Sequence, residues 1–361
     1  MRVNAGGLSE LIVGRQNEVA TLKAYIQMGQ HCAVIGPRRY GKTTLVNAVL
    51  SEIKKEHLVV KIDVFNASSV RELCMLYIDA VYESHGVSNF IKHTKDALLD
   101  MASRFSLEVQ DIKLGYDALK EDDENTLIQR TFELAEIFSN RLHKKAVVFF
   151  DEFGDMERFG VDIIKKMRSI FQTHKNTVYI FAGSQASTMN TIFLDKSNAF
   201  FNFASIMKIN KLEEKEIAVF LTGLQIQATS FSNDACALIQ NTVNGHPFYL
   251  IKLIQESYIA SLLRGPLSVE PEDVKNAINK ILFDNEAFFE SEWSKINAKK
   301  HKGLILKEIV GIDVEQNKEL SLSYKSQLIK ELKEQTIIDE NKAFIDVFFE
   351  LWMKKEFIKK D

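Results

Sequence analysis

Gly36-Pro37-Arg38-Arg39-Tyr40-Gly41-Lys42-Thr43-Thr44 fits the spacing G-x-x-x-x-G-K-[ST]. Each position has a task in gripping phosphate. The glycines let a loop wrap back so that its backbone N–H groups point at phosphate oxygens. The helix that follows presents its positive N-terminus to the same anion. Lys42 is placed to reach the β- and γ-phosphates, and the Thr43 hydroxyl to ligate Mg²⁺.

A second group lies about a hundred residues on. Val147-Val148-Phe149-Phe150-Asp151-Glu152 reads as a buried strand delivering two carboxylates to the carboxyl edge of a sheet, where ligands bind. In that place Asp151 would hold Mg²⁺ through water, and Glu152 would act as the general base on an attacking water. An Asp-Glu pair favours hydrolysis over passive storage of a nucleotide. Ser184 and Gln185 follow the next apolar run. Either could contact the γ-phosphate or the water as a sensor; a serine there could equally cap a turn.

These residues need a scaffold, and the flanking pattern supplies one. A helical spacing from Asn17 to Met28 precedes the apolar run His31–Ile35, which Gly36-Pro37 stops. A helical pattern from Lys42 to about Lys54 and a β-rich run from Leu58 to Phe65 complete a strand–helix–strand unit, the signature of a parallel sheet. About 80 residues, Asn66 to Lys145, then separate the second strand from the third. This predicts a helical insertion over 66–140, with Glu121-Asp122-Asp123-Glu124 favouring a helix N-terminus. The sheet resumes at Ala146–Phe150. A helix from about Asp162 to His174 and the strand Thr177–Ala182 follow. From Glu213 to about Phe289 the spacing predicts helices alone. Beyond it, Thr336–Val347 reads as a hairpin, closed by a helix from Phe348 to Lys359.

Composition narrows the class. Of the 361 residues 46% are hydrophobic and 26% charged, as in globular protein. Net charge is −3, which speaks against coating nucleic acid by bulk positive charge. Three cysteines, Cys32, Cys74 and Cys236, sit in no metal-ligand spacing and fit a reduced cytoplasm. No apolar run approaches the ~18 residues of a membrane span.

The motifs together resemble the archaeal-type P-loop ATPases of the STAND/AAA+ clade, which are related to origin-recognition initiators. The resemblance begins at Ile12-Val13-Gly14-Arg15-Gln16-Asn17-Glu18. It continues through the P-loop, the insertion, the Asp-Glu strand and Phe181-Ala182-Gly183-Ser184-Gln185, and reaches Asn244-Gly245-His246-Pro247. A tail ending in Phe348-Phe349-Glu350-Leu351-Trp352 is also similar. It implies an ASCE/AAA+-like α/β domain over 1–210, a helical lid over 211–284 and a winged helix over 285–361. It implies ATP and ADP as ligands with Mg²⁺; no guanine-reading Asn-Lys-x-Asp run appears. Val13, Gly14 and Arg15 would border the adenine or ribose, and Pro247 would close over the base. Arg168 matches an arginine that could reach a neighbouring subunit as a finger, although its helix face, with Lys165 and Lys166, also reads as simply solvated. The stretch Asp195–Phe201 lacks an arginine that relatives often carry there.

The tail carries a clue to partners. From Ser291 to Asp361 there are 14 lysines, no arginine and 13 acidic residues, +1 overall. Arginine is the usual reader of base edges and of the minor groove. The expected partner is therefore a protein or a second copy of the chain, with DNA a weaker candidate.

Overall fold

Runs of β-branched and aromatic residues build the central sheet of this computed structural model, which describes residues 12–86, 113, 114, 117, 123–265, 268–298, 300–312 and 320–358. Its strands are β1 (Cys32–Ile35), β2 (Leu58–Asp63), β3 (Ala146–Asp151), β4 (Thr177–Gly183) and β5 (Ser205–Lys208). They lie in the order β2-β3-β4-β1-β5, all parallel. Strands β1 and β4 are buried along their whole length, which is why their sequences are continuous apolar runs. The register sets Asp63 beside Asp151 and Ile35 beside Gly183, so one edge of the sheet gathers the carboxyl ends of four strands.

The chain divides into two compact units. One comprises Gln16–Arg38 and Lys42–Ile209, and the other Met1–Arg15, Arg39–Gly41 and Asn210–Asp361.

The first unit holds the sheet and helices α1 (Gln16–Met28), α2 (Lys42–Ile53), α3 (Val70–Glu83), α4 (Glu124–Leu142), α5 (Val161–Phe171) and α6 (Ala186–Leu194). Leu45, Val46, Val49 and Leu50 bury one stripe of α2. Asp123 caps α4 by accepting from Thr126 N at 2.8 Å, the role its acidic run predicts. Residues 121 and 122 of that run, with 87–112, 115, 116 and 118–120 of the 66–140 insertion, lie outside the described residues. Much of the abundant phenylalanine is core. Phe150 stacks on Phe181 (centroids 5.8 Å, 8° between planes) and Phe171 on Tyr179 (3.9 Å, 17°).

The second unit contains α7 (Glu214–Leu221), α8 (Asn233–Val243), α9 (Pro247–Arg264), α10 (Pro271–Asp284), α11 (Glu286–Asn297), α12 (Lys300–Ile309), α13 (Leu322–Glu334) and α14 (Val347–Phe357). Its own core runs from Leu212 to Met353. Helices do not fill 213–289 alone. Three short strands, β6 (Gln225–Ile226), β7 (Thr229–Phe231) and β8 (Ser268–Val269), form a small sheet there. The hairpin near the end is a turn with one bridge, Ile338 to Phe344. Among the described residues no helix is long and apolar enough to cross a membrane.

Candidate nucleotide site

The loop after β1 is built by close approach. A Cβ on Gly36 would come within 2.5 Å of the Ile209 carbonyl oxygen, so only glycine lets the chain turn there. Lys42 then opens α2 with its side chain folded back into the loop. Nζ donates to the carbonyl oxygens of Gly36 at 2.8 Å and Pro37 at 2.9 Å. The lysine is buried, and burial pulls its pKa down to about 8, against the favourable charges of Glu152 and Asp151. A buried ammonium resting on neutral carbonyls is poised to gain from an arriving anion.

The next residue faces β3. Thr43 Oγ1 donates to Asp151 Oδ2 at 2.7 Å. Burial raises the Asp151 carboxyl, and the bonds from Thr43 and from the Glu152 amide partly offset this. Among the described residues no group of three or more His, Cys, Asp or Glu is arranged to hold a metal. A hydroxyl and a carboxylate already in contact nevertheless fit Mg²⁺, which keeps several waters and takes phosphate oxygens for its other positions.

Glu152 leaves β3 in a left-handed backbone conformation, φ 47° and ψ 44°, ahead of a 3₁₀ segment, Phe153–Phe159. Its Oε2 accepts from Ser184 Oγ at 2.9 Å and from Ser184 N at 3.3 Å. Ser184 is buried just past β4. Gln185 beside it is exposed and accepts from Thr188 Oγ1 at 3.3 Å. Gly36, Pro37, Arg38, Lys42, Thr43, Thr44, Asp151, Glu152, Ser184 and Gln185 thus fall at one sheet edge of the first unit.

Sequence reasoning missed Asp63 at that edge. It caps the turn after β2 through Phe65 N at 3.1 Å, and burial with Glu152 and Asp155 nearby raises its carboxyl. An acid ending a β-rich run was the available signal.

The remaining predicted residues lie in the second unit, apart from Arg168. The Arg15 amide donates to Glu216 Oε1 at 2.8 Å and its guanidinium to the Asn210 carbonyl, with Val13 buried and Gly14 against Glu216. Pro247 is the first residue of α9, capped by His246, and the Gly245 carbonyl accepts from Leu212 N at 2.8 Å. Residues 13–15 and 245–247 therefore both abut segment 210–216. In this unit too, Arg39 covers the Phe248 ring at 4.6 Å, and Tyr40 OH donates to the Ile345 carbonyl at 3.3 Å. Burial holds His246 down at about 3, with Arg39 and Lys211 adding to the shift.

Arg168 is elsewhere in the first unit. It covers Phe203 at 4.4 Å, donates to Gln172 Oε1 at 2.8 Å and influences His31, the residue before β1. That is the edge of the sheet opposite the phosphate loop, so Arg168 takes no part in its own chain's site. Nor is it simply solvated, because its guanidinium lies on an aromatic ring.

A parallel sheet carrying a phosphate loop at one strand end and paired acids two strands away defines a P-loop NTPase of AAA+-like architecture. Residues 12–253 match the family described as an ATPase domain predominantly from Archaea, and the chain belongs to that family. Its fold is similar to that of the Walker-type ATPase PABY2304 of Pyrococcus abyssi, at TM-score 0.65 and 17% identity over 95% of this chain and 96% of that one. The Aeropyrum pernix ORC2 protein, solved as ADPNP-ADP complexes, is similar at TM-score 0.60 and 13% identity over 93% and 90%. The Aeropyrum pernix ORC1 protein in complex with DNA is similar at 0.53 and 12% over 99% and 97%. No curated protein sequence matches the chain significantly.

Proposed function

We propose that the protein binds Mg-ATP and hydrolyses its terminal phosphoanhydride by in-line attack of water. The observation that carries this reading is the convergence of Lys42, the Thr43–Asp151 pair and Glu152 at one sheet edge. Lys42 would exchange its two loop carbonyls for β- and γ-phosphate oxygens. Thr43 and Asp151 would hold Mg²⁺, which when bound offsets charge on the β- and γ-phosphates. Glu152 would take the proton of the attacking water. Val13, Gly14, Arg15 and Pro247 are the proposed base and ribose contacts. We read the tail from α11 to α14 as a winged helix that passes the nucleotide state to a protein partner or a second copy.

Two substitutions test the reading. Lys42→Ala should weaken binding of labelled ATP at least tenfold, about 1.4 kcal/mol. Glu152→Gln should retain Mg-ATP while phosphate release falls by roughly 10²-fold or more. Unchanged affinity in the first variant would remove the loop from the site. Wild-type protein that binds ATP but never releases phosphate would make the chain a nucleotide-binding scaffold instead.

A further inference from the structure

Ser184 invites the reading of a phosphate sensor, but its bonds point elsewhere. Its hydroxyl and its amide both donate to one oxygen of Glu152, at 2.9 and 3.3 Å. Two donors on one acceptor fix the carboxylate more tightly than one would, and bonds to an ionised group are the strong kind. The arrangement is built in at both ends. Glu152 is turned toward β4 by a left-handed backbone that a non-glycine residue adopts at a cost. Ser184 is held by the pairing of β4 with β3, where Phe181 stands beside Phe150. It is held also by Gly183, where any Cβ would collide with the Met189 side chain. The carboxylate that Ser184 holds is near enough to the phosphate loop that its charge, with that of Asp151, favours the Lys42 ammonium.

We infer that Ser184 is a positioning residue for Glu152, holding the carboxylate in the orientation from which it takes the water proton, and does not itself bind phosphate. This rests on the hydrolytic role proposed for Glu152. Losing the alignment should forfeit part of the roughly 10²–10⁴-fold that a positioned base supplies. A residue acting only through the base should change turnover and leave ground-state binding alone.

Steady-state phosphate release and binding of a β,γ-imido ATP analogue would be measured for wild type, Ser184→Ala, Ser184→Thr and Glu152→Gln, and for Ser184→Ala combined with Glu152→Gln. Ser184→Ala should lower kcat about tenfold, with KM and analogue Kd within twofold of wild type; analogue binding also shows that the variant is folded. Ser184→Thr keeps the hydroxyl and should recover most of the loss. In the Glu152→Gln background, Ser184→Ala should cost little more. A readout without nucleotide is amide exchange, in which the Ser184 N–H should exchange about tenfold faster in Glu152→Ala than in wild type. Analogue affinity that falls in step with kcat would make Ser184 a phosphate contact and overturn the inference, as would an unchanged kcat in Ser184→Ala or unchanged exchange in Glu152→Ala. Wild-type protein without turnover would instead defeat the hydrolytic reading itself, whatever the exchange data show.

Discussion

His31 accepts a hydrogen bond from the Tyr179 amide at 3.2 Å through Nδ1, so that nitrogen must carry no proton. Its ring lies against Phe203 at 4.4 Å. Burial, helped by the Arg168 charge, brings its pKa from 6.5 down to about 4. Between those values the unfolded chain binds the proton and the folded chain does not. This contribution is therefore complete above pH 6.5 and is lost as pH falls toward 4. Replacing His31 with Asn keeps an acceptor and removes the titration. The loss of urea-unfolding stability from pH 7 to pH 5 should then be smaller than in wild type by about 1–2 kcal/mol; identical losses would refute the assignment. The site shows the same contrast between groups that sequence exposes and groups it hides. Lys42, Thr43, Asp151 and Glu152 were legible because each lies in a contiguous motif whose spacing has a mechanical reason. The pairing of Ser184 with Glu152 was not, because it joins residues 32 positions apart through strand register. The surroundings of Arg168 were not legible either, since nothing in its helix says which sheet edge the helix end approaches.

At the scale of elements, the buried strands were read correctly because burial on both faces makes them continuously apolar. Strand β5 escaped: of its four residues only Met207 is buried, so neither an apolar run nor a clean alternation marks it. Strands β6 to β8, two or three residues each, are too short for any period to show. The turn from β4 into α6 carries a prediction. Gly183→Ala would drive a methyl group into the Met189 side chain, and overpacking of this kind costs about 1–3 kcal/mol. Adding Met189→Ala should relieve the collision and return part of that stability, although it leaves a cavity of its own. Thermal unfolding of the two variants decides: a single Gly183→Ala as stable as wild type would mean that β4 exits differently.

For the whole molecule, charge sets the expectation. The chain carries −3 and the segment from Ser291 only +1. Non-specific duplex binding draws on phosphate neutralisation, with about 0.9 counterions released per contact in B-DNA. Random duplex should therefore bind only in the micromolar range or weaker at physiological salt. Fluorescence anisotropy of a labelled duplex across a salt series measures this. Tight binding with a steep salt slope would favour an initiator-like DNA-binding ATPase over a switch acting on proteins. The strand order has a different consequence, for the way the chain is made. Strand β1 finishes at Ile35 yet lies between β4 and β5, which finish at Gly183 and Lys208. At ~5–20 residues per second of synthesis, β1 leaves the ribosome roughly 7–30 seconds before β4, the first of its neighbours, is complete. Through that interval Cys32-Ala33-Val34-Ile35 has both edges open, and any nascent chain ending before Lys208 carries an unfinished sheet. A nascent chain stopped short of its fifth strand should therefore be held by chaperones that bind open strand edges, and one extended past Lys208 should not.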